Sequence, residues 1–293
     1  MKKIGFVGLG AMGMPMAKHL AASQFPVTAY DIRPAVVEAF AAEAGKGAKS
    51  AAEAFAGADV AILMVVNADQ ARQILFADKA LAGMAADGTV ILMATCAPRA
   101  VEEIAAEVVA AGRRFIDAPV SGGIGGATAG TLTIMAAANR ATFEAAKPVL
   151  AAMGDKVFHV GEKPGQGATA KTINQLLCGV HIAVAAEALS LAEKVGFDPK
   201  VAFDIVSGSA ASSWMLRDRG PRMMQADPEV KSAVDIFVKD LGIVLEAGHD
   251  AGTALPIAAV AHQLFLAVSG RGEGKTDDSQ VIRAYRSLQG RKA

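Results

Sequence analysis

Cysteine is scarce in this chain of 293 residues: the two present, Cys96 and Cys178, lie far apart in apolar surroundings. That usage argues against a disulfide framework and suits reduced thiols in a cytosolic protein. Net charge is lacking as well, because 29 Lys and Arg balance 29 Asp and Glu. With no run of Lys or Arg to neutralise a phosphate backbone or an anionic bilayer surface, neither nucleic acid nor a membrane is expected as partner. The five histidines make no metal-ligand spacing with the cysteines or with one another, so no metal site is expected. A long apolar helix is missing too. The longest such stretch, Ile173 to Ala186, contains Asn174, Gln175 and His181 and falls short of the roughly 20 residues that span a bilayer. Lys2 and Lys3 ahead of Ile4 to Met16 imitate a short secretory signal, but the glycines and Pro15 within that stretch break the helix a signal requires.

What is present suffices for a large core: 53% of the residues are hydrophobic and 20% charged. The length suggests two domains. Ile4 to Leu9, Val27 to Tyr30, Val60 to Val66, Val90 to Ala94 and Phe115 to Val120 are short apolar runs bounded by Gly, Asp or Pro, and read as buried strands. Helical patterns at Pro34 to Ala44 and Pro98 to Ala111 lie between them. Uninterrupted apolar strands that alternate with helices imply a doubly wound parallel sheet, an α/β Rossmann architecture. Leu132 to Ala137 and Val157 to Val160 flank the helical stretch Ala141 to Met153 and are expected to extend the sheet. The breaker-rich segment from Glu162 to Gly167 then ends the alternation. Residues 1–163 are expected to form a dinucleotide-binding domain and 164–293 an all-α domain built on a long central helix.

Gly8-Leu9-Gly10-Ala11-Met12-Gly13 follows the first strand and opens a helix, which is the placement the dinucleotide fingerprint requires. Gly8 permits the tight turn, Gly10 lets a pyrophosphate approach, and Gly13 lets helix and strand pack closely, with Ala11 and Met12 supplying N–H groups at the helix start. Asp31 ends the second strand eighteen positions after Gly13, where a carboxylate accepts ribose hydroxyls and repels a 2′-phosphate. NAD is therefore favoured over NADP, although Arg33 could bind such a phosphate if it swings in. Asp31 could also cap the helix that starts at Pro34, a role compatible with the first. Val65 and Val66 at the end of the third strand, Asn67 after it, and Thr95 after the fourth occupy strand ends where ligands of doubly wound folds collect. Asn67 and Thr95 could instead only cap helices.

Hydride transfer needs a group that takes or returns the hydroxyl proton. The histidines have no acid partner at a suggestive spacing. Lys171 follows Gly165-Gln166-Gly167 and begins a largely uncharged helix, where desolvation would lower its pKa toward neutrality. The alternative is a solvated lysine at a helix start. Asn174 and Gln175 lie three and four positions further, on the same face. Ser121-Gly122-Gly123 is a turn whose N–H groups and hydroxyl could bind a carboxylate, or an ordinary tight turn. Lys239 either faces the cleft or snorkels to the surface.

These segments resemble the β-hydroxyacid dehydrogenase family, which includes 3-hydroxyisobutyrate dehydrogenase, tartronate semialdehyde reductase and 6-phosphogluconate dehydrogenase. The resemblance rests on Gly5 to Gly13, Asp117 to Gly123, Gly167 to Gln175 and Lys239-Asp240-Leu241, and it covers the whole chain. It implies a Rossmann domain, an all-α domain that forms dimers or tetramers, Lys171 as catalytic acid/base, substrate contacts from Ser121 to Gly123 and from Asn174 or Gln175, and Lys239 near the nicotinamide. Ser213-Trp214-Met215 and Gly274 to Ser279 are most similar to the branch that oxidises the C2 hydroxyl of L-threonate with NAD. Competing readings are an NAD(P)H-dependent reductase of tartronate or succinic semialdehyde, or of the 3-hydroxyisobutyrate type, an imine reductase, and a dinucleotide-sensing scaffold without catalysis. The family pattern of imine reductases lacks the lysine found here at 171.

Overall fold

A computed structural model of the chain describes residues 1–290. It divides into two compact units, Met1–Lys171 and Thr172 onward. The first unit holds strands β1 (Ile4–Val7), β2 (Val27–Tyr30), β3 (Lys46–Gly47), β4 (Val60–Leu63), β5 (Thr89–Leu92), β6 (Arg114–Asp117), β7 (Val120–Ser121), β8 (Thr133–Ala137) and β9 (Lys156–Gly161). They form one sheet in the order β3-β2-β1-β4-β5-β6-β8-β7, with β9 beside β8. Strands β1 to β6 run parallel. The central strands explain why: every residue of β1 and β4 is apolar or Gly and buried, so both faces need a covering layer of helices. Alternate residues supply the two layers. Phe6, Ile62 and Ile91 pack with Met16, Leu20, Val149 and Leu150 on one face. Val7, Leu63 and Leu92 pack with Phe55, Val101, Ile104 and Val108 on the other.

The far edge departs from a single strand over Phe115 to Val120. Pro119 carries no N–H for a ladder, and the chain breaks at Ala118-Pro119 into β6 and the two-residue β7. Both pair antiparallel with β8, which pairs parallel with β9. Short helices at Ala51–Phe55, Ala68–Arg72 and Gly123–Ala129, too brief to show a helical period, add to those expected.

The helix Gln166–Val195 has 30 residues, and the division between the two units falls inside it, eight residues beyond the boundary expected at 163. Its first turn belongs to the sheet domain because Ala168 is buried in the core layer with Leu92 and Val101. By length and composition this helix could cross a membrane, contrary to the expectation from Ile173 to Ala186 alone, yet 56% of its apolar window is buried within the protein. A core helix has that pattern.

From Thr172 onward the chain is helical, with helices at Pro199–Ser207, Trp214–Met223, Val234–Asp250, Pro256–Val268 and Ile282–Leu288. Ile182, Ala186, Leu189, Phe237, Leu241, Val244 and Phe265 form its core. Gly179 admits a close crossing, since a Cβ there would meet Leu241 Cδ2 at 2.8 Å. Buried Arg219 and Arg222 each pair with an acid of the 277–278 turn, Asp278 and Asp277, at 2.9 Å.

Candidate functional site

The parallel run of β1, β4, β5 and β6 brings the segments that follow their carboxyl ends to one edge of the sheet. Gly8 to Gly13, Val65 to Asn67, Thr95 and Ser121 all follow such ends. The three fingerprint glycines differ in what demands them. At Gly8, φ is +101° and a Cβ would lie 2.3 Å from the Met64 carbonyl oxygen; at Gly13 it would lie 1.8 Å from the Gly8 oxygen. Those two are required by the protein's own packing. At Gly10 a Cβ would meet nothing within 4 Å. The space kept free there suits a pyrophosphate pressed against backbone. The helix Gly13–Ala22 begins after Met12 with no side-chain cap, so its first N–H groups can serve an anion. These residues fit a dinucleotide.

Asp31 is 8% exposed and tightly held. One oxygen accepts the Leu9 N–H at 2.8 Å, the other the Arg33 N–H at 3.0 Å, and the Arg33 guanidinium grips both oxygens at 2.8 and 3.1 Å. Burial pushes its pKa up, but the Arg33 hydrogen bond and the backbone N–H groups outweigh that and hold it below the usual carboxylate range. The cap position of the helix Pro34–Glu43 is Arg33, so Asp31 stays available as the acceptor at the end of β2. Asn67 does take up a capping role, accepting the Gln70 N–H at 2.9 Å. Val66 is half exposed and donates its N–H to Gln70 Oε1 at 3.0 Å; Val65 and Thr95 are partly buried.

Ser121 lies on β7 opposite Thr133 and is partly buried. Gly122 and Gly123 turn the chain with φ of +132° and +60°, backbone that a side chain would strain. The turn leads into Gly123–Ala129, a helix without a side-chain cap.

Lys171 is 7% exposed, which excludes a lysine solvated at a helix start. In the same helix Asn174 Nδ2 donates to Gln175 Oε1 at 2.9 Å, and Gln175 Nε2 donates to Asp240 Oδ2. Lys239 Nζ pairs with the remaining Asp240 oxygen at 2.7 Å. Asn174, Gln175, Asp240 and Lys239 thus form one chain of polar contacts in the helical unit, and the Lys239 ammonium is directed to a carboxylate instead of to bulk water.

Two buried acids, one in each unit, were not singled out from the sequence. Asp240 is 2% exposed and links Gln175 to Lys239. Asp117, 1% exposed, ends β6 and accepts the N–H groups of Gly165 at 3.0 Å and Ala168 at 2.8 Å. Burial pushes the Asp117 pKa up to about 7, against the lowering effect of N–H groups from Ala168, Gly165 and Gly167. What distinguishes each acid is a distant donor: the spacing of 48 residues between Asp117 and Gly165, like that of 65 between Gln175 and Asp240, carries no periodic signal. Of the histidines, His19, His159 and His262 bond the backbone oxygens of Thr128, Ala138 and Val238.

Known proteins resemble the chain over both units. Residues 3–161 match the family described as the NAD binding domain of 6-phosphogluconate dehydrogenase. Residues 165–285 match that described as the NAD-binding domain of NADP-dependent 3-hydroxyisobutyrate dehydrogenase. The chain is 42% identical to an L-threonate dehydrogenase of Cupriavidus necator over 98% of this chain and 97% of that protein. It is 36% identical to 2-(hydroxymethyl)glutarate dehydrogenase of Eubacterium barkeri, over 98% and 96%. Among solved structures, a 3-hydroxyisobutyrate dehydrogenase of Salmonella typhimurium superposes with TM-score 0.92 at 40% identity, covering 97% of this chain and 99% of the other.

Proposed function

From the premise that this chain belongs to the 3-hydroxyisobutyrate dehydrogenase family and is an NAD-binding oxidoreductase of CH–OH groups, we propose that it oxidises a four-carbon sugar acid, L-threonate or a close analogue, with Lys171 as general base. The relatives named L-threonate dehydrogenase, 37–42% identical over nearly their whole length, support the substrate class. The observation that carries the mechanism is the burial of Lys171 on the first turns of the long helix. That burial keeps the amine out of bulk water, as suits a general base for a hydroxyl proton.

Gly8, Gly10, Ala11, Met12 and Gly13 would hold the pyrophosphate, and Asp31 the adenosine ribose. NAD, when bound, supplies the nicotinamide carbon that accepts a hydride. Lys171 Nζ takes the proton of the substrate hydroxyl as the C–H electrons leave, and returns it in the reverse direction. The N–H groups and hydroxyl of Ser121-Gly122-Gly123 bind the substrate carboxylate. Asp31 disfavours a 2′-phosphate, which makes NAD the preferred dinucleotide. The protein works in the cytoplasm as a homodimer or homotetramer. An exposed apolar row on the long helix, Leu177, Val184, Leu191 and Val195, each at least 50% exposed, supports association.

The test is a steady-state screen of C3 to C5 hydroxy acids with NAD and NADP, beside Lys171→Ala. L-threonate with NAD should give the highest kcat/KM. Lys171→Ala should lower kcat by roughly 10²–10⁴-fold while NAD still binds. Unchanged turnover in that variant would remove Lys171 from the mechanism, and preference for a semialdehyde with NADPH would replace the substrate reading.

A further inference from the structure

The N-terminus of the long helix is closed by the protein itself, unlike that of Gly13–Ala22. An α-helix leaves its first four N–H groups without intrahelical acceptors. Here the Gln166 N–H reaches the Lys163 carbonyl oxygen at 3.3 Å and the Thr169 N–H the Gly165 oxygen at 2.8 Å. The two between them, Gly167 and Ala168, are satisfied by Asp117 from the end of β6, which accepts the Gly165 N–H as well. The approach is close enough to dictate sequence. A Cβ on Gly167 would lie 2.7 Å from the Asp117 carbonyl oxygen and 2.6 Å from that of Met135. Gly165 adopts φ of +89° to deliver its N–H.

Two of the candidate segments leave this junction. Four residues beyond Asp117 is Ser121, the first residue of the glycine turn. Three residues beyond Ala168, hence above it on the same helical face, is Lys171. We propose that Asp117 is a positioning residue, whose buried carboxylate locks the first turn of the long helix against the end of β6 and thereby sets where Lys171 stands relative to the Ser121-Gly122-Gly123 turn. This rests on the reading of Lys171 as the proton-transfer group. In its ionised form, a carboxylate oxygen that accepts several N–H groups at a helix N-terminus is a stiffer anchor than a neutral cap, because each bond is charge-assisted and the helix dipole adds to it. Proton transfer is sensitive to that stiffness, since displacement of the base by about 1 Å can cost about 100-fold in rate.

The experiment compares the full-length parent with Asp117→Asn, Asp117→Ser and Thr169→Val. Thr169→Val is a control that deletes the Thr169 Oγ1 bond to the Gly165 oxygen and leaves Asp117 intact. For each we would measure kcat and KM for L-threonate, or for the best acid of the screen, NAD affinity, and amide hydrogen exchange over residues 163–171. Asp117→Ser should speed exchange of the amides at 165–168 at least tenfold. It should lower kcat at least thirtyfold and leave NAD affinity within threefold. Asp117→Asn, which retains one acceptor oxygen, should stay within fivefold of the parent kcat, and Thr169→Val within twofold. A merely structural anchor would lower stability without changing kcat per folded site. The proposal is overturned if Asp117→Ser keeps parental kcat, or if its exchange at 165–168 is unchanged. Should that variant not fold, a loss beyond fiftyfold in Asp117→Asn with parental exchange overturns it instead. Lys171→Ala separates the two ideas: parental turnover there sinks the lysine reading, whereas an inactive Lys171→Ala beside a fully active Asp117→Ser sinks only the anchor.

Discussion

Gln175 and Asp240, 65 positions apart, are joined side chain to side chain by a hydrogen bond from Nε2 of the amide to Oδ2 of the acid. Both are buried, and the other Asp240 oxygen is spoken for by Lys239. Gln175→Leu keeps the volume and removes the donor, so a buried carboxylate oxygen loses its partner. Such an orphaned acceptor costs about 1–3 kcal/mol. Urea unfolding should show that loss, and the companion Gln175→Glu, which sets a second acid against Asp240, should be worse. Equal stability of Gln175→Leu and parent would show that water replaces the amide.

The glycines of the first turn make opposite predictions. Gly10→Ala adds a methyl group where the protein has nothing within 4 Å, so folding should be unaffected. In the proposed site the same methyl would occupy the space for pyrophosphate, and NAD affinity should fall at least tenfold, about 1.4 kcal/mol. In Gly13→Ala the new Cβ sits 1.8 Å from the Gly8 oxygen. That variant should lose thermal stability before binding is measured at all. Thermal melts and NAD titration of the pair decide the matter, and retained NAD affinity in Gly10→Ala would place the dinucleotide elsewhere.

How far these features can be read from sequence depends on whether their partners are local. The fingerprint Gly8 to Gly13 and Asp31 are legible because strand, turn and helix follow one another within a few residues, and the buried runs of β1, β4 and β5 are legible because burial on both faces leaves no polar positions. Asp117 and Asp240 are not, because what makes each significant is a donor 48 or 65 residues away. The break at Pro119 was foreseeable from proline's missing N–H, but the apolar run around it obscures it. Asn67 left two roles open, and only the Gln70 N–H at 2.9 Å shows the cap.

Asp31 and Arg33 link cofactor choice to acid stability. The Asp31 pKa is lowered in the folded protein, so its contribution to stability is present above its ordinary value of 3.8 and is lost as pH falls through the depressed folded value. Arg33→Ala removes the guanidinium bonds. The parent should therefore melt higher than Arg33→Ala at pH 6, with the gap closing below pH 3.8. The gap is expected to be small because Arg33 is 56% exposed on its side chain. A gap that persists unchanged to pH 2 would assign Arg33 a packing role instead.

Replacing Asp31 itself tests discrimination between the dinucleotides. Its carboxylate, fixed by the Leu9 N–H at 2.8 Å, is the group proposed to receive the adenosine ribose at its 2′ oxygen. A 2′-phosphate brought there meets a buried negative charge whose one close counter-ion is already engaged on both oxygens. Asp31→Ser withdraws that charge and frees Arg33 to bind phosphate. The ratio of kcat/KM for NAD over NADP should drop at least tenfold, through both a loss with NAD and a gain with NADP. Should the ratio stay at the parental value, selection against the phosphate must come from another residue at the carboxyl end of β2.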